Sequence, residues 1–514
     1  MILNFPIRKS YLFIYITALL FFLFSLQDNL SASHDGISYL QHIVSGENLF
    51  HPHHLLYNAV ARLWLLAGSA IFPSVEAHYI VESLNAFFGS ANILLVYIIL
   101  YRRAQVPLKL AAICSVLVAF SFGVWSYATN VEVYSCSIFF ALLLILRISA
   151  PNFSRKYIVN LALIHLFAIL FHQVNVLLFP IVVYALYTFL PHELRFKRIA
   201  LYTTLIVGSS ILVYLAIGVF VEDKYSMNAL TSWITLYVSE HNYWQAPSLS
   251  GAVLIFTGIA HSQVGGHFLF RLPWVQDYLT KKLNAHNLVD ERFLAAGINN
   301  NTAELLFYCS ILIGVILLTL AGFSLSRYIR IRSMTLIERI LMLSLLVYSL
   351  FFFFWDPENL EFWILQSIIA WILITMSLKG ATKFITSLFL VLPILFFVVN
   401  YFGSMRLLQD RSKDWYHMRV HPVSKLFSAE DIVTSEQEWI LADYLRYHTN
   451  ARYLSSVDSQ FLNNAERVIL SGNKVMIFDD SLINHPAVDS LLKRYDSIVN
   501  VASESNPSIK VIQR

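Results

Sequence analysis

The chain has 514 residues, 57% of them hydrophobic and only 13% charged, where a soluble globular domain carries roughly 25% charge. That balance excludes a soluble protein and points to an α-helical polytopic membrane protein. The formal net charge of +4, with no basic stripe interleaved with aromatics, excludes a nucleic-acid partner.

Arg8 and Lys9 precede an apolar run from Tyr11 to Leu26, read as a retained first transmembrane helix rather than a cleaved leader because many more apolar segments follow. The next stretch, SHDGISYLQHIVSGENLFHPHHLLY from Ser33 to Tyr57, has no Lys or Arg but carries Asp35 and a run of histidines. It is either an inert loop or the lip of a site.

Segments of about 20 apolar residues are candidate spans. They fall at 10–27, 78–101, 107–125, 132–148, 157–172, 174–190, 199–220, 304–325, 337–354, 360–378 and 382–402, which makes eleven. The segment 53–71, HHLLYNAVARLWLLAGSAI, is hydrophobic enough for a twelfth. If it crossed, the basic clusters would be split between the two sides.

If it lies in the interface, six clusters all face the cytoplasm: Arg8/Lys9, Arg102/Arg103/Lys109, Arg147/Arg155/Lys156, Arg195/Lys197/Arg198, Arg327/Arg330/Arg332 and Lys379/Lys383, as positive-inside sorting requires. The segment is therefore expected to be a juxtamembrane helix, with Arg62 reaching water. The N-terminus is then cytoplasmic and the C-terminus extracytoplasmic.

The same arithmetic places a first external loop at 28–77 and a long external segment at 221–303, whose apolar stretch Ala252 to Ala260 is too short to span. Residues 1–405 make the transmembrane domain. From 406 to 514 the charge density becomes ordinary, with helix-like stretches (Ser435–Arg446, Asp489–Tyr495) and strand-like runs (Arg467–Leu470, Lys474–Phe478, Lys510–Ile512), so a small extracytoplasmic α/β domain is expected.

Cys114, Cys136 and Cys309 lie in apolar segments without CxxC spacing and read as small hydrophobes.

With this topology the unusual polar residues gather on the outer side, where ionisable groups near the membrane default to function. Asp35 is either a solvated loop carboxylate or a working acid. His51-Pro52-His53-His54 cannot all converge on one ion, so no metal site is predicted, and these imidazoles either donate hydrogen bonds to a phosphate or sit in the headgroup layer. Glu132 either serves a ligand or complements a helix macrodipole. His172 and Asn175, spaced i, i+3, either share a ligand or join two helices. Glu358 and Glu361 share that spacing near two tryptophans.

The succession of these features resembles the GT-C glycosyltransferases, particularly bacterial members related to protein O-mannosyltransferases and aminoarabinose transferases. The likeness rests on Asp35 in SHDGISYLQHI after the first helix, the Pro-bearing entry HPHHLLYNAVARLW, the helix VESLNAFFGSANILLVYIILYRR, a helix ending at Trp125 before Glu132-Val133-Tyr134, and DPENLEFW late in the chain. Many members have two acids in the first loop. Here His34 precedes Asp35.

The resemblance implies an inverting glycosyltransferase of a bacterial inner (plasma) membrane, moving a sugar from a polyprenyl-phosphate donor to a hydroxyl of a protein, glycan or lipid acceptor at the outer face. Such chemistry needs a base for the acceptor's proton and a cradle for the departing phosphate. Asp35 is the expected general base; His53, His54 and Arg271 are the expected phosphate ligands; His34, Glu132, His172, Asn175 and Glu358 are expected to bind substrate. No cofactor is called for, and a divalent metal is left open.

The rival is a transporter or flippase of a lipid-linked saccharide, disfavoured because no inverted repeat and few mid-helix charges are found. A third reading, a scaffold, predicts that deleting 410–514 removes all function, whereas the transferase reading predicts only altered acceptor choice.

Overall fold

A computed structural model describes residues 9–152, 154–236, 243–246, 248–282, 288–330, 333–435, 439–456, 458–478, 486–495, 498–503 and 506–512. Each of the eleven apolar segments is helical. In chain order, α1 (Lys9–Leu23), α2 (Asp35–Ser45), α3 (Tyr57–Ile71), α4 (Ala77–Ile98), α5 (Leu108–Phe120), α6 (Phe122–Ala128), α7 (Tyr134–Ile148), α8 (Arg155–Phe171), α9 (Leu178–Phe189) and α10 (His192–Phe220) build the first half. The long external segment contributes α11 (Met227–Ile234), α12 (Leu249–Gln263), α13 (Pro273–Lys282) and α14 (Val289–Ala295), and α15 (Asn300–Arg330), α16 (Leu336–Phe354), α17 (Ile364–Ser377) and α18 (Lys383–Asn400) complete the bundle.

Among the described residues six helical segments are individually long and apolar enough to cross a bilayer: Ala77–Arg103, His192–Phe220, Asn300–Arg330, Leu336–Phe354, Leu360–Ser377 and Lys383–Leu408. A seventh is the pair α5 and α6, bent by 67° where Ser121 takes an extended backbone conformation. The other expected spans are helical but shorter. The chain is an integral membrane protein with α4 at its centre: the apolar window of Ala77–Arg103 is 72% buried, against 17% for the lipid-facing His192–Phe220. Asn85, Gly89, Ser90 and Asn92 along α4 let its neighbours approach closely and bond to it.

Helix α3 has 15 residues, a length of roughly 22 Å at 1.5 Å per residue, the same as α1 and α7. Arg62 on α3 is partly exposed and also turns inward. Its Nη1 donates to the carbonyls of Ile43 at 2.9 Å and Val44 at 2.6 Å, satisfying the C-terminal end of α2, where Gly46 adopts a left-handed φ of 79°. A charge-assisted bond to orphan carbonyls outweighs hydration here, and it ties α3 to α2.

After α18 the chain passes through α19 (Trp415–Ser424) into β1 (Ile432–Ser435), α20 (Trp439–His448), β2 (Arg452–Tyr453), α21 (Phe461–Leu470), β3 (Val475–Phe478), α22 (Pro486–Arg494), β4 (Ile498–Ser503) and β5 (Asn506–Ile512). The sheet order is β2-β1-β3-β5-β4, with β1 parallel to β2 and β3, and β5 antiparallel to β3 and β4.

Two expectations fail here. Arg467–Leu470 is the last turn of α21 rather than a strand, because Phe461, Ala465 and Ile469 recur at helical spacing and are buried together. Ser435 ends β1 rather than opening a helix. One set of sheet and helix side chains, among them Ile432, Phe461, Val475 and Leu491, forms a separate small core, while Val433, Leu441, Tyr444 and Phe478 join the core of the bundle.

Candidate active site

The polar end of the bundle is organised by buried amides. Asn85, midway along α4, donates Nδ2 to the carbonyls of Asn130 at 2.6 Å and Glu132 at 2.7 Å. Gln27, just past α1, donates its backbone N–H to Thr129 O at 3.0 Å and its side-chain Nε2 to Ser126 O at 2.9 Å. Away from water these carbonyls would otherwise be unpaired, so the two amides fix the loop between α6 and α7. The loop presents Glu132, which is 1% exposed. Its Oε2 accepts the N–H of Val133 at 3.3 Å, and Oε1 has no partner among the described residues.

The first external loop lies on this platform. Asn130 Nδ2 reaches Ser33 Oγ at 3.4 Å, and Gly36 N donates to the same oxygen at 3.2 Å. A Cβ on Gly36 would stand 2.7 Å from Ser33 Oγ and 3.2 Å from both Asn130 Oδ1 and Val131 O, so only glycine admits this approach. Asp35, the first residue of α2, accepts a hydrogen bond from Tyr39 Oη at 3.2 Å. Burial raises its proton affinity, against the hydrogen bond from Tyr39 and the neighbouring His34. Glu132 is raised well above the ordinary carboxylate range by burial and then by the charges of Asp35 and Glu361.

Three carboxyls therefore face one another. The third, Glu361, comes from the short 3-10 turn Leu360–Trp363, whose first N–H groups are met by Asn359 Oδ1 at 3.3 Å from Glu361 N. Tyr127 Oη donates to Glu361 Oε2 at 3.3 Å, and Tyr134 lines the same space.

The expected residues divide. Asp35 and Glu132 come together, and His34, beside them, turns outward to Asp290 on α14 at 3.3 Å. His54 is buried with Nδ1 unpartnered among the described residues; its ring meets Tyr39 edge-on at 4.8 Å and stacks on His51 at 4.6 Å, one residue away from Asp35. Burial lowers the pKa of His51 to about 3 and of His53 to about 4, so these imidazoles are neutral hydrogen-bonding groups. His172 caps the turn after α8, its Nδ1 accepting from Val174 N at 3.3 Å, with its ring 5.1 Å from Tyr134.

Asn175, Arg271 and Glu358 do not join the cluster. Asn175 donates to Ser137 Oγ at 2.8 Å and Ala168 O at 2.9 Å and accepts from Tyr348 Oη at 2.7 Å, a helix-to-helix bond that uses up its donors. Arg271 bonds Asn300 Oδ1 at 3.1 Å, and no described contact joins it to His53 or His54. Glu358 is exposed in the loop before the turn.

Of the two acids at this spacing, Glu361 rather than Glu358 lies with the cluster. The signal was present in Asn359, whose side chain caps a turn that carries the next acid inward. Tyr39 and Tyr127 carried no signal, because a tyrosine in an apolar run reads as core.

No protein-family model matches the sequence, and no curated protein matches it by sequence. The fold does match known structures. ArnT from Cupriavidus metallidurans in the apo state superposes with a TM-score of 0.51 at 12% identity, covering 98% of each chain, and the same protein bound to undecaprenyl phosphate gives 0.50 at 12% identity, again over 98% of both. The arabinofuranosyltransferase AftD from Mycobacteria gives 0.52 at 12% identity, covering 99% of this chain and 40% of that one. The chain has the fold of the GT-C glycosyltransferases.

Proposed function

We propose that the chain is a membrane glycosyltransferase that moves a sugar, with inversion, from a polyprenyl-phosphate donor to an acceptor hydroxyl on a protein, glycan or lipid at the outer face of a bacterial plasma membrane. The observation that carries this reading is the meeting of Asp35, Glu132 and Glu361 at one end of a bundle with the ArnT fold. The neighbour's binding of undecaprenyl phosphate supports the class of donor. The topology, with the N-terminus inside and 406–514 outside, belongs to this proposal.

Asp35 accepts the acceptor's proton as its oxygen attacks the anomeric carbon. The bond from that carbon to the phosphate oxygen breaks, the electron pair leaves with the lipid phosphate, and Asp35 later passes its proton to water. Its raised proton affinity suits a base working near neutral pH. Glu132, held protonated by burial and by the nearby Asp35 carboxylate, donates a hydrogen bond to a sugar hydroxyl or to the departing phosphate. Neutral His54 and His53 serve as uncharged donors on the far side of Tyr39, with His172 beside Tyr134.

The test is Asp35→Asn in purified protein given a polyprenyl-phosphate sugar. The expected result is membrane protein of unchanged thermal stability with transfer reduced by about a thousandfold or more. Retained transfer removes Asp35 from the role.

A further inference from the structure

Three histidines gather where the C-terminal region meets the first external loop. His417 and His421 stand one turn apart on α19, their rings stacked at 4.8 Å and 19°, and His448 at the end of α20 meets the His417 ring edge-on at 5.1 Å. None belongs to the acid cluster or to the proposed chemistry. His417 is 8% exposed, and His448 Nε2 is buried without a hydrogen-bond partner among the described residues. A cavity of about 20 Å³, room for one water, is lined by both rings and by Asp28, Glu76, His78 and Arg411.

The surroundings leave no carboxylate for an imidazolium. Arg411 binds Asp28 at 2.7 Å and Glu76 at 2.8 Å, and His78 holds the same two acids, Nε2 lying 3.2 Å from Asp28 and Nδ1 3.5 Å from Glu76. Asp414 accepts Leu30 N at 3.1 Å, His417 N at 2.9 Å and the Tyr444 hydroxyl. Elsewhere on α20, Tyr447 lines the cavity, and Asp443 and Arg446 pair with each other at 2.7 Å. Helix α14, which meets α19 through Phe293 on Trp415 at 5.3 Å, carries Asp290, bound to His34 at 3.3 Å, with Glu291 and Arg292. Burial, then His421 and Arg411, lowers the pKa of His417 to about 4 against the pull of Asp28 and Glu76. Burial, then His417, His421, Arg411 and His78, lowers that of His448 to about 3.

We propose that His417 and His448 form an acid-opened latch: on taking up protons they part the C-terminal region from the first loop, Arg411 releases Asp28, and the loop that carries Asp35 loses its seat. A histidine lowered on folding stabilises the closed state fully above about pH 6.5 and loses that contribution as pH falls towards its folded value. Each pH unit in that window favours the open state by up to about tenfold per histidine. Asp414, lifted by burial to about 6, opposes opening as it takes up a proton. It is one carboxyl against two imidazoles, so acid opens the latch. The consequence for transfer rests on the transferase reading; the opening does not.

Full-length protein in detergent is followed by hydrogen–deuterium exchange and mass spectrometry at about pH 7 and pH 5, with rates corrected for intrinsic exchange at each pH. The readout is the peptide holding Asp28 and Asn29, whose N–H groups bond Leu408 O at 2.9 Å and 3.0 Å. Protection there is expected to fall at least tenfold at the lower pH in wild type, with the amides of α4 unchanged, and not to fall in His417→Gln/His448→Gln. Each single variant loses part of the response, so either decides should the double variant not fold. A wild-type loop equally protected at both pH values, variants that respond as the wild type does, or a loss spread equally over α4 overturns the latch. None of these outcomes bears on the transferase reading, which Asp35→Asn judges.

Discussion

The guanidinium of Arg411 lies 2.7 Å from Asp28 Oδ1 and 2.8 Å from Glu76 Oε2, joining residues 383 positions apart in the chain. Asp28 opens the loop that carries Asp35. Around this pair, Leu408 O accepts the N–H groups of Asp28 at 2.9 Å and Asn29 at 3.0 Å, Asp414 Oδ2 accepts from Leu30 N at 3.1 Å, and Tyr444 donates to Asp414. The loop that carries Asp35 is clamped by the start of the C-terminal region. Helix α20 packs on α2.

Arg411→Ala is therefore expected to lower stability by about 1–2 kcal/mol, the range for a charged hydrogen bond discounted for partial exposure, and to reduce transfer. Thermal unfolding in detergent and a transfer assay check it. Arg411→Lys recovers only part of the loss, because an ammonium cannot reproduce the fork that serves two carboxylates.

Deletion of 410–514 now has a different expected outcome from the one the sequence suggested. Removing Arg411, Asp414 and Tyr444 releases the loop under Asp35, so transfer is lost altogether rather than redirected to other acceptors. Retained transfer with a changed acceptor would show that the clamp is dispensable. Total loss consequently no longer separates a scaffold from a transferase.

Glu361 and Glu358 give a sharp contrast. Glu361→Gln is expected to lower the rate of transfer by about a hundredfold or more, the scale of a lost acid–base or charge contribution, while Glu358→Gln stays within about threefold of wild type. Parallel rate measurements under saturating donor decide it.

Gly36→Ala tests the seating of the first loop on Asn130 and Val131. Its Cβ meets three oxygens at 2.7–3.2 Å, two of them on the platform loop, so α2 must shift and carry Asp35 with it. Expected are a loss of transfer of tenfold or more and a stability cost of about 1–3 kcal/mol. Gly46→Ala, remote from the acids, is the control for αL strain alone.

Protonation of the buried histidines sets a pH dependence. The folded pKa of His53 is lowered to about 4, by burial, from an unfolded value of about 6.5. A group lowered on folding contributes stability that is fully present above its unfolded pKa and is lost as pH falls towards the folded one. The stability difference between wild type and His53→Gln should thus shift against wild type by up to about 2 kcal/mol between pH 7 and pH 5. Asp414 runs the other way: burial lifts it to about 6, so its contribution is greatest at low pH and is lost as pH rises through 6. Unfolding curves at the two pH values, each variant compared with wild type, should give differences of opposite sign for His53→Gln and Asp414→Asn.

What the sequence determined by itself is what short-range physics controls. Apolar length marked the helical segments of the bundle, six of them singly long enough to cross a bilayer among the described residues, and an acid placed directly after the first helix drew attention to Asp35. Each follows from neighbours along the chain. The partners of Asp35 were decided only in three dimensions.

Glu132 and Glu361 reach it because Asn85 and Gln27 bend one loop and Asn359 turns another, while Asp290 and Arg411 arrive from segments hundreds of residues away. The i, i+3 spacing alone does not distinguish Glu361 from Glu358; the capping Asn359 beside it does. Asn175, which shares its spacing with His172, is bonded from three sides by residues of other helices. The energy that sorts these residues lies in which buried polar groups find partners across the bundle, and those partners are chosen by packing rather than by sequence distance.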